Sequence, residues 1–83
     1  MNIKFAVKIV GALSKSIGAP MTILQISKST GLSYNATNRT VHALISEGVI
    51  ESTTVGHSKL LKLTDTAKTI GFIKLAEAYE EEE

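Results

Sequence analysis

In the stretch GLSYNATNRTVHALISEGVI, residues 31–50, Asn35, Asn38, Arg39 and His42 recur three or four positions apart, with Ser33 and Tyr34 just ahead of them. Helical geometry places such residues on one face. Their hydrogen-bonding inventory is unusual for a solvated face: two amides that donate and accept, a guanidinium fork, an imidazole and a phenol. No carboxylate appears before Glu47. Ordinary exposed helix faces mix Glu with Lys, which adds pairing one turn apart and keeps the surface soluble. This face is suited to a partner surface rich in acceptors. Thr37, Val41, Leu44 and Ile45 form the opposite, core-directed side.

Catalytic chemistry finds little support. His42 and His57 belong to different segments, without a neighbouring carboxylate cluster, and the chain has neither a glycine-rich phosphate loop nor a nucleophile elbow. A metal held by these two imidazoles alone would be underligated, and the absence of cysteine removes thiolate sites and disulfides. No enzyme activity and no cofactor are expected.

The elements that would position the polar face are sharply punctuated. A first helix is expected from about Asn2 to Ile17, with Gly18 as a left-handed stop and Pro20 just beyond. Thr22 and Gln25 have capping-box spacing, and Met21 and Ile26 the spacing of a hydrophobic staple, at the start of a short helix, ILQISKST. Gly31 ends it, and Ser33 caps the next helix after only GLS. Helices joined so tightly cross steeply, in a helix-turn-helix, with Leu32 tucked between them. Gly48 closes the third helix. VIESTTV and KLLKL then read as strands around GHS, with Gly56 supplying the turn and Leu61 and Leu63 on one face of the second. LTDTAKTIGFIKLAEAYEEEE is a last helix, capped by Thr64 or Asp65.

Eighty-three residues allow one small domain, whose core is marginal unless something adds buried surface. Net charge is only +1, but its distribution is uneven. Lys4, Lys8, Lys15, Lys28 and Arg39 precede residue 47 without an acid, giving +5, whereas Glu77 and Glu80 to Glu83 put −5 at the end. A basic body with an acidic end hints at nucleic-acid contact. The opening twenty residues have a leader-like look, but Lys8 interrupts their apolar run and Phe5, Ile9, Leu13 and Ile17 keep helical spacing. No run approaches the roughly 18 apolar residues of a membrane span. The segment is read as a core helix of an intracellular, cytoplasmic protein.

The order helix, helix, helix, hairpin, helix, with SYNATNRTVHALISEGVIE followed by KLTD, resembles the winged helix-turn-helix regulators of the MarR and ArsR type. Ser33 stands at that pattern's cap, Leu44 four residues before Gly48, Val49–Ile50 after the glycine, and Leu63–Thr64 at the end of the wing. The likeness spans about residues 3 to 80. Two departures are Ala67, where many relatives have Gly, and a wing poor in arginine. The resemblance implies a mainly α fold with a small β-hairpin wing: a three-helix core, a two-stranded wing and a C-terminal helix, over residues 1–79. It also implies a transcriptional regulator that binds double-stranded DNA with the third helix in the major groove.

The residues fit that use. Asn pairs with adenine through a donor and an acceptor, and Arg with guanine O6 and N7. Asn35, Asn38, Arg39 and His42 are therefore expected at base edges, with Ser33 and Tyr34 at phosphate near the helix N-terminus. Lys28 and Thr22 on the supporting helix, and His57, Ser58 and Lys59 at the wing tip, are auxiliary backbone or minor-groove candidates. In the last helix, about 65–79, Ala67, Ile70, Phe72, Ile73, Leu75, Ala76 and Tyr79 cover more than one stripe. A domain this small buries one, so homodimerisation through Ile70, Phe72, Ile73, Leu75, Ala76 and Tyr79 is expected. Residues 80–83 are expected to fray, because glutamates at a helix C-terminus oppose its dipole. The alternative is a winged-helix protein-interaction module without DNA binding.

Overall fold

The computed structural model describes residues 1–16 and 19–81, with side chains through Tyr79. Its order is α1 (Ile3–Lys15), α2 (Ile23–Thr30), α3 (Tyr34–Ser46), β1 (Ile50–Val55), β2 (Ser58–Leu63) and α4 (Ala67–Glu81). Asn2 caps α1 by accepting from the Phe5 amide at 3.1 Å. The expected stop at Ile17 and Gly18 lies outside the described residues, as do Glu82 and Glu83 of the expected frayed end. The capping box of α2 is complete: the Gln25 amide donates to Thr22 Oγ1, and the Thr22 amide donates to Gln25 Oε1.

One apolar stripe from each of the first three helices meets the hairpin in a common core. Ala6, Ile9, Val10 and Leu13 of α1 pack with Ile26 of α2, Val41 and Leu44 of α3, and Val49, Ile50 and Leu61. Phe72 and Ile73 of α4 close over it, half-buried. The antiparallel hairpin pairs Ile50 with Leu63 and Val55 with Ser58, and Gly56 at φ 62° makes the turn. A third strand stub was not expected. Met21 and Leu61 exchange backbone hydrogen bonds of 2.9 and 2.8 Å, which tie the approach to α2 onto the wing. A single extended residue next to a proline carries no periodicity, so sequence pattern could not reveal it.

The cap of the last helix differs from expectation. Thr66, rather than Thr64 or Asp65, accepts from the Thr69 amide at 3.2 Å. The Thr64 hydroxyl is held elsewhere, donating to the Gly48 carbonyl and lying 2.6 Å from Thr69 Oγ1. The fully buried Thr69 joins Thr64, Thr66 and the Val49 carbonyl, so a small hydroxyl network fastens the end of the wing and the start of α4 to the end of α3. Lys68 adds an ion pair to Glu47 across the same junction.

Candidate nucleic-acid interface

The turn that presents α3 is fixed by side-chain to backbone hydrogen bonds. Gly31 adopts φ 75°, a left-handed conformation that costs glycine no Cβ clash. Ser27 Oγ donates to the Leu32 carbonyl at 2.7 Å, and Ser33 Oγ accepts from the Ala36 amide at 3.1 Å. Thr37, buried, donates its hydroxyl to the Ser33 carbonyl at 2.8 Å. Val41, Leu44, Thr37 and Thr40 then anchor α3 from beneath, and half-buried Ile45 supports one flank. Thr40 was not anticipated in the core; its spacing of three from Thr37 and four from Leu44 carried that signal.

The opposite face of α3 is open. Asn35, Arg39 and His42 are exposed and run along its outer line, and exposed Ser46 continues it. Asn38 is half-buried and sits toward the flank of Tyr34, which is itself 54% exposed. Among the described residues, the side chains of Asn35, Asn38, Arg39 and His42 form no hydrogen bond or ion pair within the chain. The first acid along the helix, Glu47, is turned into the Lys68 pair. That hydrogen bond, reinforced by the lysine charge, holds its carboxyl below the usual glutamate range. The ridge therefore keeps its donors available and no carboxylate on its line. Beside Arg39, a hollow of about 250 Å³ opens against α1, lined by Met1, Phe5, Ala36 and Ala43 among others.

The auxiliary candidates are all at the surface, with differing freedom. Lys28 on α2 is exposed, as are His57, Ser58 and Lys59 at the wing tip. Thr22 is half-buried, and its oxygen already serves the capping box, which leaves only its hydroxyl proton for a phosphate. Val55 at the wing tip is 59% exposed and was not singled out from the sequence, since an alternating strand has to turn some apolar residue outward. On the wing's side, Lys62 and Glu51 pair at 3.1 Å.

The six residues expected at a dimer interface divide. Ala76 is buried within its own subunit, where its β-carbon lies 3.5 Å from the place a side chain on Gly11 would occupy; it cannot also serve a partner. Phe72 and Ile73 are half-buried against the same core. Ile70, Leu75 and Tyr79 remain exposed. The second stripe is thus the outer one, and counting apolar residues alone did not separate it from the inner.

No protein-family profile and no curated protein matches the sequence. Among solved structures, the chain is similar to ZitR of Lactococcus lactis, with a TM-score of 0.79 at 18% identity over 95% of this chain and 53% of that one. It is similar to the transcriptional repressor BigR of Xylella fastidiosa, with a TM-score of 0.78 at 12% identity over 96% of this chain and 76% of that one. The same fold forms part of human N-acetylserotonin methyltransferase, with a TM-score of 0.68 at 16% identity over 80% of this chain but 20% of the enzyme. The chain thus spans a fifth of the methyltransferase and about half of ZitR. The architecture is a winged helix-turn-helix: four helices with a two-stranded antiparallel hairpin. No helix among the described residues is long and apolar enough to cross a membrane.

Proposed function

We propose that the chain is a sequence-specific regulator that binds duplex DNA as a homodimer, with α3 in the major groove and the wing along the backbone. The observation that carries this reading is the ridge itself: amides, guanidinium and imidazole without partners in their own subunit and without an acid among them. Likeness to a transcriptional repressor in fold adds support.

Each group has a physical role. Arg39 donates to guanine O6 and N7, and Asn35 and Asn38 pair with adenine, each good bidentate contact giving about 1–3 kcal/mol of discrimination. His42 lies one turn beyond Asn38 and reads the next base edge. Ser33 and Tyr34 sit at the positive end of the α3 dipole, which favours phosphate. Lys28 and Thr22 hold the backbone from the supporting helix, while His57, Ser58 and Lys59 hold it from the wing. These contacts exchange water bonds for bonds to base edges, so their value lies in discriminating right from wrong bases more than in raw affinity.

The modest charge of the body supports few phosphate contacts. With Lys28 and Lys59 of each copy as the charged contacts, about four in the dimer, the slope of log affinity against log salt is roughly −3.6, shallow for a DNA-binding protein. Two copies related by a dyad would read a pseudo-palindrome whose half-sites lie about 10 bp apart or a multiple of that. Titration of duplex DNA at low and at moderate salt tests the reading. Binding with a shallow slope is expected, and no binding at low salt overturns it.

A further inference from the structure

A hollow of about 710 Å³ opens between α1, the last turn of α2 and the second half of α4. Lys4, Lys8 and Lys15 border it, at spacings that a helix sets on one line, about 6 Å and about 10 Å apart. No carboxylate is among its described lining residues. Lys4 and Lys8 are exposed, and among the described residues neither side chain has a hydrogen bond or an ion pair. The α3 ridge does not use this groove: the hollow beside Arg39 meets α1 at Phe5, and the two hollows share no residue.

The three sides of the groove call for three kinds of group. The lysine line suits a ligand with several negative charges, because one carboxylate is answered by one ammonium. Lys4 and Lys8, one turn apart, can converge on a short chain of phosphates. At the second side α2 ends in Ser29 and Thr30, where backbone carbonyls run out of intrahelical donors and the dipole is negative. That end disfavours anions and accepts from hydroxyl or amino groups. The Thr30 hydroxyl is already donated to the Ile26 carbonyl at 2.8 Å, whereas exposed Ser29 keeps its own. At the third side, buried Val7 and Ala76 make an apolar floor, and the Tyr79 ring, 43% exposed, offers a surface for a flat ring.

We infer that this groove binds a nucleoside di- or triphosphate, with phosphates along Lys4 and Lys8, ribose hydroxyls or base amino groups at the α2 end, and the base against Tyr79. The site is separate from the α3 ridge and its main test needs no operator DNA, so either reading can fail alone.

Calorimetric titration of the whole chain with ATP, at low salt and without divalent metal, is expected to show one site per chain. Adenosine alone and inorganic triphosphate alone should each bind roughly tenfold more weakly or worse, because each makes only part of the contacts. Lys8→Gln should weaken ATP binding about tenfold, the scale of one charge-assisted hydrogen bond. Tyr79→Leu, which keeps the apolar cover and removes the ring, should weaken it about threefold. Lys74→Gln removes the same charge as Lys8→Gln from outside the groove and should change little. Circular dichroism should show all three variants folded, since the side chains replaced lie at the surface. No ATP binding at millimolar concentration, equal binding by inorganic triphosphate, full binding by Lys8→Gln or an equal loss in Lys74→Gln each overturns the site. A loss of duplex DNA binding in Lys8→Gln as large as its loss of ATP would assign the groove to the DNA backbone and overturn it too.

Discussion

The outward faces of α3 and α4 are both exposed and belong to helices of similar length, 13 and 15 residues, yet they are opposite in kind. Along α3 the outer line is Asn35, Arg39, His42 and Ser46, polar groups with hydrogen bonds to give. Along α4 it is Ala67, Gly71, Lys74 and Ala78, flanked by Ile70 and Leu75. Exposure alone does not identify an interface; chemistry left unused does. The α3 face lacks partners for directional groups, which suits base edges. The α4 face lacks cover for apolar surface, which suits the second copy of the proposed homodimer.

The largest effect is expected where both faces share a foundation. Leu44 is fully buried beneath α3 in the common core. Leu44→Ala should cost about 3 kcal/mol of stability, by lost burial and the cavity left behind. Chemical denaturation measures it, and DNA binding and dimerisation should decline together. A cost under about 1 kcal/mol would mean that the faces are not supported by one core.

A smaller change should split the two faces. Asn35 is exposed in the first turn of α3, which has no acid. Asn35→Asp puts a carboxylate near the positive end of the dipole and should raise stability by about 0.5 kcal/mol. Against DNA the same carboxylate meets acceptors and phosphate, and affinity should fall by about 2 kcal/mol, some thirtyfold. Melting, sedimentation and DNA titration of this variant should thus give a firmer fold, an unchanged dimer and weaker binding. Equal binding by the variant would return Asn35 to the ordinary solvated surface.

The smallest effect concerns the junction between the two helices. The carboxyl of Glu47 is held below its usual range in the folded state by Lys68, so the unfolded chain takes up a proton first as the pH falls. The pair's contribution is complete above the ordinary glutamate pKa of about 4.3 and is lost as the pH drops through the lower folded value. Both groups are solvent-exposed, so the effect is slight. Melting curves of Glu47→Gln and wild type should differ a little at neutral pH and converge in acid. A gap that widened in acid would contradict this assignment.

Much of the architecture was legible because local signals agreed. The Thr22 and Gln25 capping box, the Ser33 cap and the glycines at 31, 48 and 56 punctuate elements whose apolar spacing already names them. What was not legible depended on tertiary competition. Thr64 had the right type to cap α4, but the Gly48 carbonyl claims its hydroxyl, and Thr66 caps in its place. The Met21–Leu61 bridge arises only once the wing is folded back. For the ridge, composition showed its polarity and its lack of acids, while only coordinates could show Asn38 on the flank and Ser46 in line. On α4, seven apolar positions over more than one stripe told that a surplus existed, and packing against Gly11 was needed to tell that Ala76 is inner and Ile70 outer.

On the proposed function, the α3 ridge reads bases. Selection of bound sequences from random duplex DNA, carried out in parallel with the wild-type chain and Arg39→Ala, tests it most directly. An enriched, two-fold related motif is expected for the wild type, and loss of preference at one guanine position per half-site for Arg39→Ala, with non-specific affinity nearly unchanged. No enrichment for the wild type, or an identical motif from both proteins, would contradict it.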